Sequence, residues 1–269
     1  MKRIITPSLL LVLLAACHNT ESNSSDEGAS PANRTAALGY TVLQVYPHDT
    51  TSFTEGLEWH DSTLYESAGL NGQSKLVRVS LKDGRAIKKN VLGKEYFGEG
   101  ITIFGNHIYQ LTYREQKCFV YDIKTFAKTG EFNYEGQGWG MTHNDSSLIM
   151  DDSTNTLVFR DPKTFAVTKR VPVTGVPTLT DGSPASINEL EFVDGFVYAN
   201  VWLTNYLLKI DPATGNVVAQ ADFTDLYTRY ISGTPGYDKV FNGIAYNSAT
   251  KTFYVTGKNW PNLFEIKFN

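Results

Sequence analysis

YFGEGITIFGNHIYQLTY, residues 96–113, reads as a strand, a tight turn and a second strand. GEGITI (98–103) opens the pair, FGN (104–106) turns it, and IYQLTY (108–113) leaves it. Aromatic and β-branched residues suit such half-buried pleated surfaces. The pattern returns along the chain. Its opening strands are TEGLEW (54–59), GEGITI, GWGMTH (138–143), NELEFV (188–193) and NGIAYN (242–247). Their partners are LYESAG (64–69), IYQLTY, LIMDDS (148–153), VYANVW (197–202) and FYVTGK (253–258). Self-similarity at a fixed period marks a radial or stacked architecture.

Each unit adds a third strand: KLVRVSL (75–81), KCFVYDI (117–123), TLVFRDP (156–162), YLLKIDP (206–212) and NLFEIKF (262–268). A fourth follows in the first four units: 85–93, 127–134, 166–173 and 216–223. LKDG, IKTF, DPKTF and DPATG supply turn chemistry between them. The fifth unit has no fourth strand of its own, and TVLQVY (41–46) stands ahead of the first. The expected fold is therefore all-β: a five-bladed β-propeller whose last blade is closed by the N-terminal strand, a closure that hides sheet edges. Glu55, Glu99, Trp139, Asn188 and Asn242 share one register, with gaps of 44, 40, 49 and 54. Four-stranded blades need about 40–50 residues each. The long irregular stretches 171–186 and 222–240 fall on the face where the opening strands begin, and FTDLYTRYI (223–231) is expected as a short helix.

Like positions of the units meet around one axis, so stacking them reads out a site. One ring is Glu55, Glu99, Trp139, Asn188 and Asn242. A second is Gly69, Tyr113, Ser153, Trp202 and Lys258, with Phe53 and Phe97 two residues before the glutamates. One mouth is thus expected to hold carboxylates, amides, an amine and aromatic walls, the make-up of a small-molecule pocket. Taken singly these residues are ordinary: a strand-end Glu is usually solvated, a Trp usually core, a Lys usually snorkelling to water.

The 269 residues are 41% hydrophobic and 19% charged, an ordinary globular balance, and the net charge of −4 offers no phosphate-tracking stripe, so no nucleic-acid partner is expected. Lys2 and Arg3 precede a short apolar run ending in Leu14-Ala15-Ala16-Cys17. This reads as a lipoprotein-type signal peptide over 1–17, with Cys17 lipidated. Residues 18–37, polar and Ser/Asn-rich, read as a tether. The propeller domain is then expected over 38–269, on a protein lipid-anchored at the bacterial cell envelope and facing periplasm or exterior. With Cys17 acylated, Cys118 has no intrachain partner. The five histidines show no metal-ligand spacing and there is no nucleophile elbow, so neither a metal nor a cofactor is expected. LNGQSK (70–75) and MDDST (150–154) read as turns, the latter lacking the alternating carboxylates of a calcium loop.

FTEGL, YESAGLNGQSKLVRV, YFGEGIT, IYQLTY, GWGMTH, NELEFVDGFVYANVW, FNGIAYN and VTGKNWPNLFEIK together resemble the plant and bacterial glutamine cyclotransferase family. The resemblance runs from Tyr40 to Asn269. It implies a five-bladed propeller that converts the N-terminal glutamine of peptides or proteins to pyroglutamate with loss of ammonia, without a metal, and a monomer is expected. Carried over motif by motif, it places the catalytic acid at Glu99, a substrate-binding amide at Asn188 and a cation at Lys258, with Phe53, Phe97, Trp139 and Trp202 lining the pocket. Where plant relatives have Gln and Trp, this chain has Glu55 and Tyr113, which bears on substrate preference and amine binding rather than on the reaction. The expected chemistry is a proton shuttle on Glu99. Asn188 and Lys258 are expected to donate to the carboxamide oxygen, and Glu55 to hold the α-ammonium. Two rivals are weighed: a non-catalytic cell-surface propeller binding peptide or glycan, and a calcium-dependent lactonase-type hydrolase using Glu55, Asn188 and Asn242.

Overall fold

A computed structural model describes residues 35–231 and 236–269. It shows five sheets, one per sequence unit, arranged as a propeller. In each blade the strands run outward in chain order. The innermost strands are Thr54–His60, Gly98–Phe104, Met141–His143, Ile187–Val193 and Phe241–Asn247. These inner strands are buried almost throughout, whereas outer strands such as Ala86–Val91 alternate exposed and half-buried. The strand Tyr40–Pro47 pairs antiparallel with Asn262–Phe268 as the outermost strand of blade five. The ring is closed by the N-terminal strand, as the missing fourth strand implied. A helix, Thr224–Tyr230, occupies the insertion after blade four, one residue shorter at each end than its sequence segment.

One boundary moves. Ala36–Ala37, placed in the tether by composition, form a short parallel strand on the outer edge of blade four, pairing with Ala219 and Gln220. Backbone hydrogen bonding, to which alanine is no obstacle, carries this pairing, and composition holds no signal of it. The signal segment with Cys17 and residues 18–34 of the tether lie outside the described residues.

Turns between third and fourth strands share one device. The carboxylates of Asp122, Asp161 and Asp211 accept backbone N–H groups two or three residues on, at 2.8–3.2 Å. Side chains of this type mimic a backbone turn and fix the hairpin.

Irregularity is concentrated on the axis. Four of the five inner strands carry a register shift at the same place: at Glu55, at Glu99-Gly100, at Asn188-Glu189 and at Asn242-Gly243. A β-bulge bends its strand and re-aims a side chain. The residue after the ring position is glycine in blades one, two, three and five. A Cβ on Gly100 would lie 2.5 Å from the Trp139 carbonyl oxygen, and one on Gly140 2.0 Å from that of Asn188. The inner strands therefore approach closely enough for Gly100 N–H to donate to the Trp139 carbonyl at 2.8 Å. Blade four has Glu189 instead of glycine. Its fully buried carboxyl accepts the N–H groups of Leu57 in blade one, at 3.1 Å, and Ile244 in blade five, at 2.8 Å. Inner strands are sheet edges with unpaired donors, and this side chain satisfies two of them across the axis.

Candidate functional site

The bulges direct their side chains to one mouth. Phe53, Glu55, Phe97, Glu99, Tyr113, Trp139, Asn188, Trp202 and Lys258 line a single cavity of about 160 Å³, joined by Tyr237. Nine of the twelve residues that stacking had placed at this mouth come together here.

Three other ring members do not line the cavity, each for a physical reason. Asn242 is fully buried behind Glu55, and its Nδ2 donates to the Glu55 carboxylate at 3.1 Å and to the Thr54 carbonyl at 2.9 Å. Gly69 lies beneath the Phe97 ring, where a Cβ would stand 2.3 Å from a ring carbon. Its absent side chain is the space Phe97 fills. Ser153 takes a left-handed backbone with φ of 70° in a turn, and its carbonyl accepts the Ser186 hydroxyl. Asp151 is the buried polar group of that strand end, accepting the Gly140 N–H at 2.7 Å.

The walls are aromatic. Phe53 meets Phe97 edge-on, with ring centroids 6.1 Å apart, and Trp139 meets Trp202 edge-on at 5.4 Å. Tyr113 contacts Phe97 at 5.9 Å and is covered on its other side by the Arg114 guanidinium at 4.7 Å. The Trp139 indole N–H is held by the Gln137 amide oxygen at 2.9 Å.

Lys258 and Glu55 form a buried ion pair, Nζ to Oε1 at 2.7 Å, with side chains 6% and 3% exposed. Lys258 Nζ also lies 4.5 Å from the centre of the Phe53 ring, a cation–π contact. Burial raises the Glu55 carboxyl above its ordinary value, and the ammonium opposes that rise. One Glu55 oxygen accepts from Lys258 and the other from Asn242, so the carboxylate expected to hold the substrate ammonium reaches the cavity already paired with a cation of the protein. Of the three ligands on which the calcium-hydrolase reading relied, Glu55 is already paired with the Lys258 ammonium.

Glu99 is the contrasting carboxyl. It is 5% exposed and, among the described residues, no group donates a hydrogen bond to it. Burial first, and then the Glu55 carboxylate, push it well above the usual carboxylate range, while Lys258 pulls in the other direction. The proton-bound form of Glu99 is thereby favoured relative to that of a free glutamate, and its carboxyl faces the cavity. Asn188 brings a buried amide oxygen that has no partner. A carboxyl and an amide bordering one small aromatic-walled cavity are the few converging polar groups of a small-molecule site.

Tyr237 is the member that sequence reading missed. It begins a single 3₁₀ turn, Tyr237–Lys239, inside the 222–240 insertion, and its ring lies 5.9 Å from Trp202. The insertion belongs to no repeat, so stacking has no register in which to find it.

Comparison with known proteins gives three findings. A sequence profile described as glutamine cyclotransferase matches residues 9–268. A glutaminyl-peptide cyclotransferase of Arabidopsis thaliana is 34% identical over 229 residues, covering 84% of this chain and 70% of that protein. The crystal structure of Myxococcus xanthus glutaminyl cyclase matches with a TM-score of 0.78 at 33% identity, covering 87% of this chain and 98% of that one.

Proposed function

This chain belongs to the glutamine cyclotransferase family and cyclises N-terminal glutamine of peptides to pyroglutamate with release of ammonia, and we propose that Glu99 is the group that moves the protons. The observation that carries this assignment is its carboxyl: buried, without a hydrogen-bond partner, held above the usual carboxylate range, and facing an aromatic-walled cavity of about 160 Å³.

The reaction closes a five-membered lactam within one residue. The neutral α-amine attacks the side-chain carboxamide carbon, the C–N bond to ammonia breaks, and one proton must pass from the attacking to the leaving nitrogen. An α-amine with pKa about 8 is partly neutral near pH 7, so no strong base is needed. Ammonia leaves only after its nitrogen gains a proton. Glu99 gives its proton to that nitrogen and takes one from the ring nitrogen, ending as it began. Proton transfer of this kind contributes roughly 10²–10⁴ in rate. The Asn188 amide and the Lys258 ammonium, which spends one of its three donors on Glu55, meet the charge developing on the carboxamide oxygen. Loss of one such donor costs roughly 10²–10³. Phe53, Phe97, Trp139 and Trp202 enclose the folded-back conformer that brings amine and amide together, a source of effective molarity. Glu55 holds Lys258 in place.

The test is ammonia release from a Gln-peptide by the full chain, with wild type and Glu99→Gln compared. Wild type turns over, and the variant loses at least a hundredfold in kcat; near wild-type turnover by the variant removes Glu99 from its role.

Cys17 is proposed as the lipid attachment point, placing the enzyme on the bacterial envelope and facing periplasm or exterior. The basic-then-apolar segment before it supports this reading. Cys17→Ala is expected to move the protein from the membrane to the soluble fraction; unchanged membrane retention overturns it.

A further inference from the structure

We infer that a groove beside the catalytic mouth binds the two residues that follow the cyclised glutamine, and that it favours large apolar side chains there. The inference rests on the peptide cyclisation described above. A cavity of about 160 Å³ accommodates a single residue, so the remainder of a peptide has to leave across the rim.

Two depressions flank that rim. One, of about 490 Å³, is bordered by Leu203, Asn205, Tyr227, Thr228 and Val240, and it reaches the catalytic cavity through Tyr237, which lines both. The other is bordered by Thr51, Leu70 and Gln73 and has no lining residue in common with the catalytic cavity. Continuity selects the first. Its volume lies within the range of sites built for small ligands, roughly 300–1,000 Å³.

The junction between cavity and groove is fastened to the blade that carries Lys258. The Val240 carbonyl accepts the Lys258 N–H at 2.9 Å, and the Lys239 carbonyl accepts the Trp260 indole N–H at 2.9 Å. The Asp238 carbonyl accepts the Asn259 amide at 3.1 Å. Tyr237 is thereby held against Trp202 with 68% of its surface exposed, an aromatic face offered to solvent where a chain leaves the mouth. Beyond it, Leu203, Val240 and Tyr227 give apolar walls. A peptide main chain leaving the mouth passes over the exposed Tyr237 ring. Extended chain advances about 3.3–3.6 Å per residue, so the second and third residues span an aromatic ring and the space beyond.

Full-length protein is assayed for ammonia release from glutamine amide, Gln-Gly-Gly and Gln-Phe-Phe. Wild type is expected to use Gln-Phe-Phe with a kcat/KM at least tenfold above Gln-Gly-Gly. Thr228 is exposed on the helix at the groove's edge, and Thr228→Trp fills the groove. It is expected to erase that tenfold while leaving glutamine amide within twofold. Asn205→Trp is an independent second filling, should the first fail to fold. Gln73→Trp, in the other depression, is expected to change nothing. A preference that survives both fillings, or is absent in wild type, or disappears with Gln73→Trp instead, overturns the groove assignment while cyclisation stands. Absence of ammonia from every substrate removes the cyclase reading and the groove with it.

Discussion

Lys258→Met tests whether the Glu55–Lys258 pair holds the mouth together. The substitution keeps side-chain length and removes the ammonium. Glu55 then remains with its side chain 3% exposed, retaining only the Asn242 amide at 3.1 Å. Breaking a buried pair by removing one partner costs about 3–5 kcal/mol, because a charge is left uncompensated. For a domain of this size each kcal/mol lowers the melting temperature by about 2–4 °C, so the expected fall is about 6–20 °C. The double variant Glu55→Gln/Lys258→Met buries two neutral groups of similar volume. Replacing both members of a buried pair is often neutral, so most of the loss is expected to return. Activity is not expected to return with it, because the cation proposed to face the carboxamide is gone. The pH dependence gives a second signature. Removing the ammonium that opposes the rise lifts the Glu55 pKa further. A folded-state pKa raised above the unfolded one gives stability that is fully present below the unfolded value, about 4.3, and lost as pH rises through the folded one. The deficit of Lys258→Met is therefore smaller at pH 4.5 than at pH 7.5. Urea titrations of the four proteins of the cycle at both pH values provide the measurement. A single variant within 1 kcal/mol of wild type at pH 7.5, or a double variant no more stable than Lys258→Met, refutes the reasoning.

Glu99→Gln is expected to lower kcat by roughly 10²–10⁴ without loss of stability, since it replaces a buried carboxyl, whose proton-bound form burial favours, by an amide of the same shape; a fall in melting temperature alongside the activity would show that Glu99 holds structure instead. Burial pushes Glu58 from 4.5 up to about 8, with the Thr102 hydroxyl at 3.1 Å opposing the shift. Its folded pKa is raised, so its contribution is intact below pH 4.5 and lost by about pH 8. Urea midpoints of wild type should fall between pH 5 and pH 9, and those of Glu58→Gln should fall less; equal slopes would count against a protonated Glu58. Gly69→Ala puts a methyl 2.3 Å from a Phe97 ring carbon and forces the ring to move at the cavity wall. Displacements near 1 Å can cost about 10²-fold, so kcat/KM on a Gln-peptide is expected to drop by one to two orders of magnitude, and an unchanged value would show that the ring does not set the cavity.

The repeat was legible because strand, turn and strand recur with little insertion, and because Asp122, Asp161 and Asp211 mark the same turn in three blades. Stacking found the mouth for a reason that only the structure shows. Ring residues at equal register would point to alternate faces after any slip, yet the bulges fall at the same place in four blades and correct their aim together. The glycine after the ring position was visible as a letter, but its purpose, close approach of neighbouring inner strands, is a three-dimensional fact. What stayed hidden is what depends on partners far apart in the chain. Glu55 and Lys258 lie 203 positions apart, and nothing in either local sequence announces that one carboxylate is spent on the other. Tyr237 and the Ala36–Ala37 strand lie outside the repeat, where periodic reading has no purchase.

That pair also sits where the ring closes. Glu55 comes from blade one and Lys258 from blade five, and blade five is completed by the strand Tyr40–Pro47. His48 follows that strand directly and is buried between the two blades. Its Nδ1 donates to the Trp260 carbonyl at 2.9 Å, and its Nε2 lies 3.1 Å from the Glu66 carboxylate. Burial alone would lower the imidazole pKa; the Glu66 charge and hydrogen bond, with the Trp260 carbonyl, outweigh it and raise it. Glu66 also accepts the Thr54 hydroxyl at 2.7 Å, one residue before Glu55, and Trp260 lies two residues beyond Lys258. The Asn259 N–H completes the seam by donating to the Ser52 carbonyl at 2.8 Å. The contacts that bring the first and last blades together are thus adjacent in sequence to the residues that meet in the mouth. Closure of the ring and assembly of the site are the same event at this seam, because neither Glu55 nor Lys258 has its partner until the blades that carry them are joined.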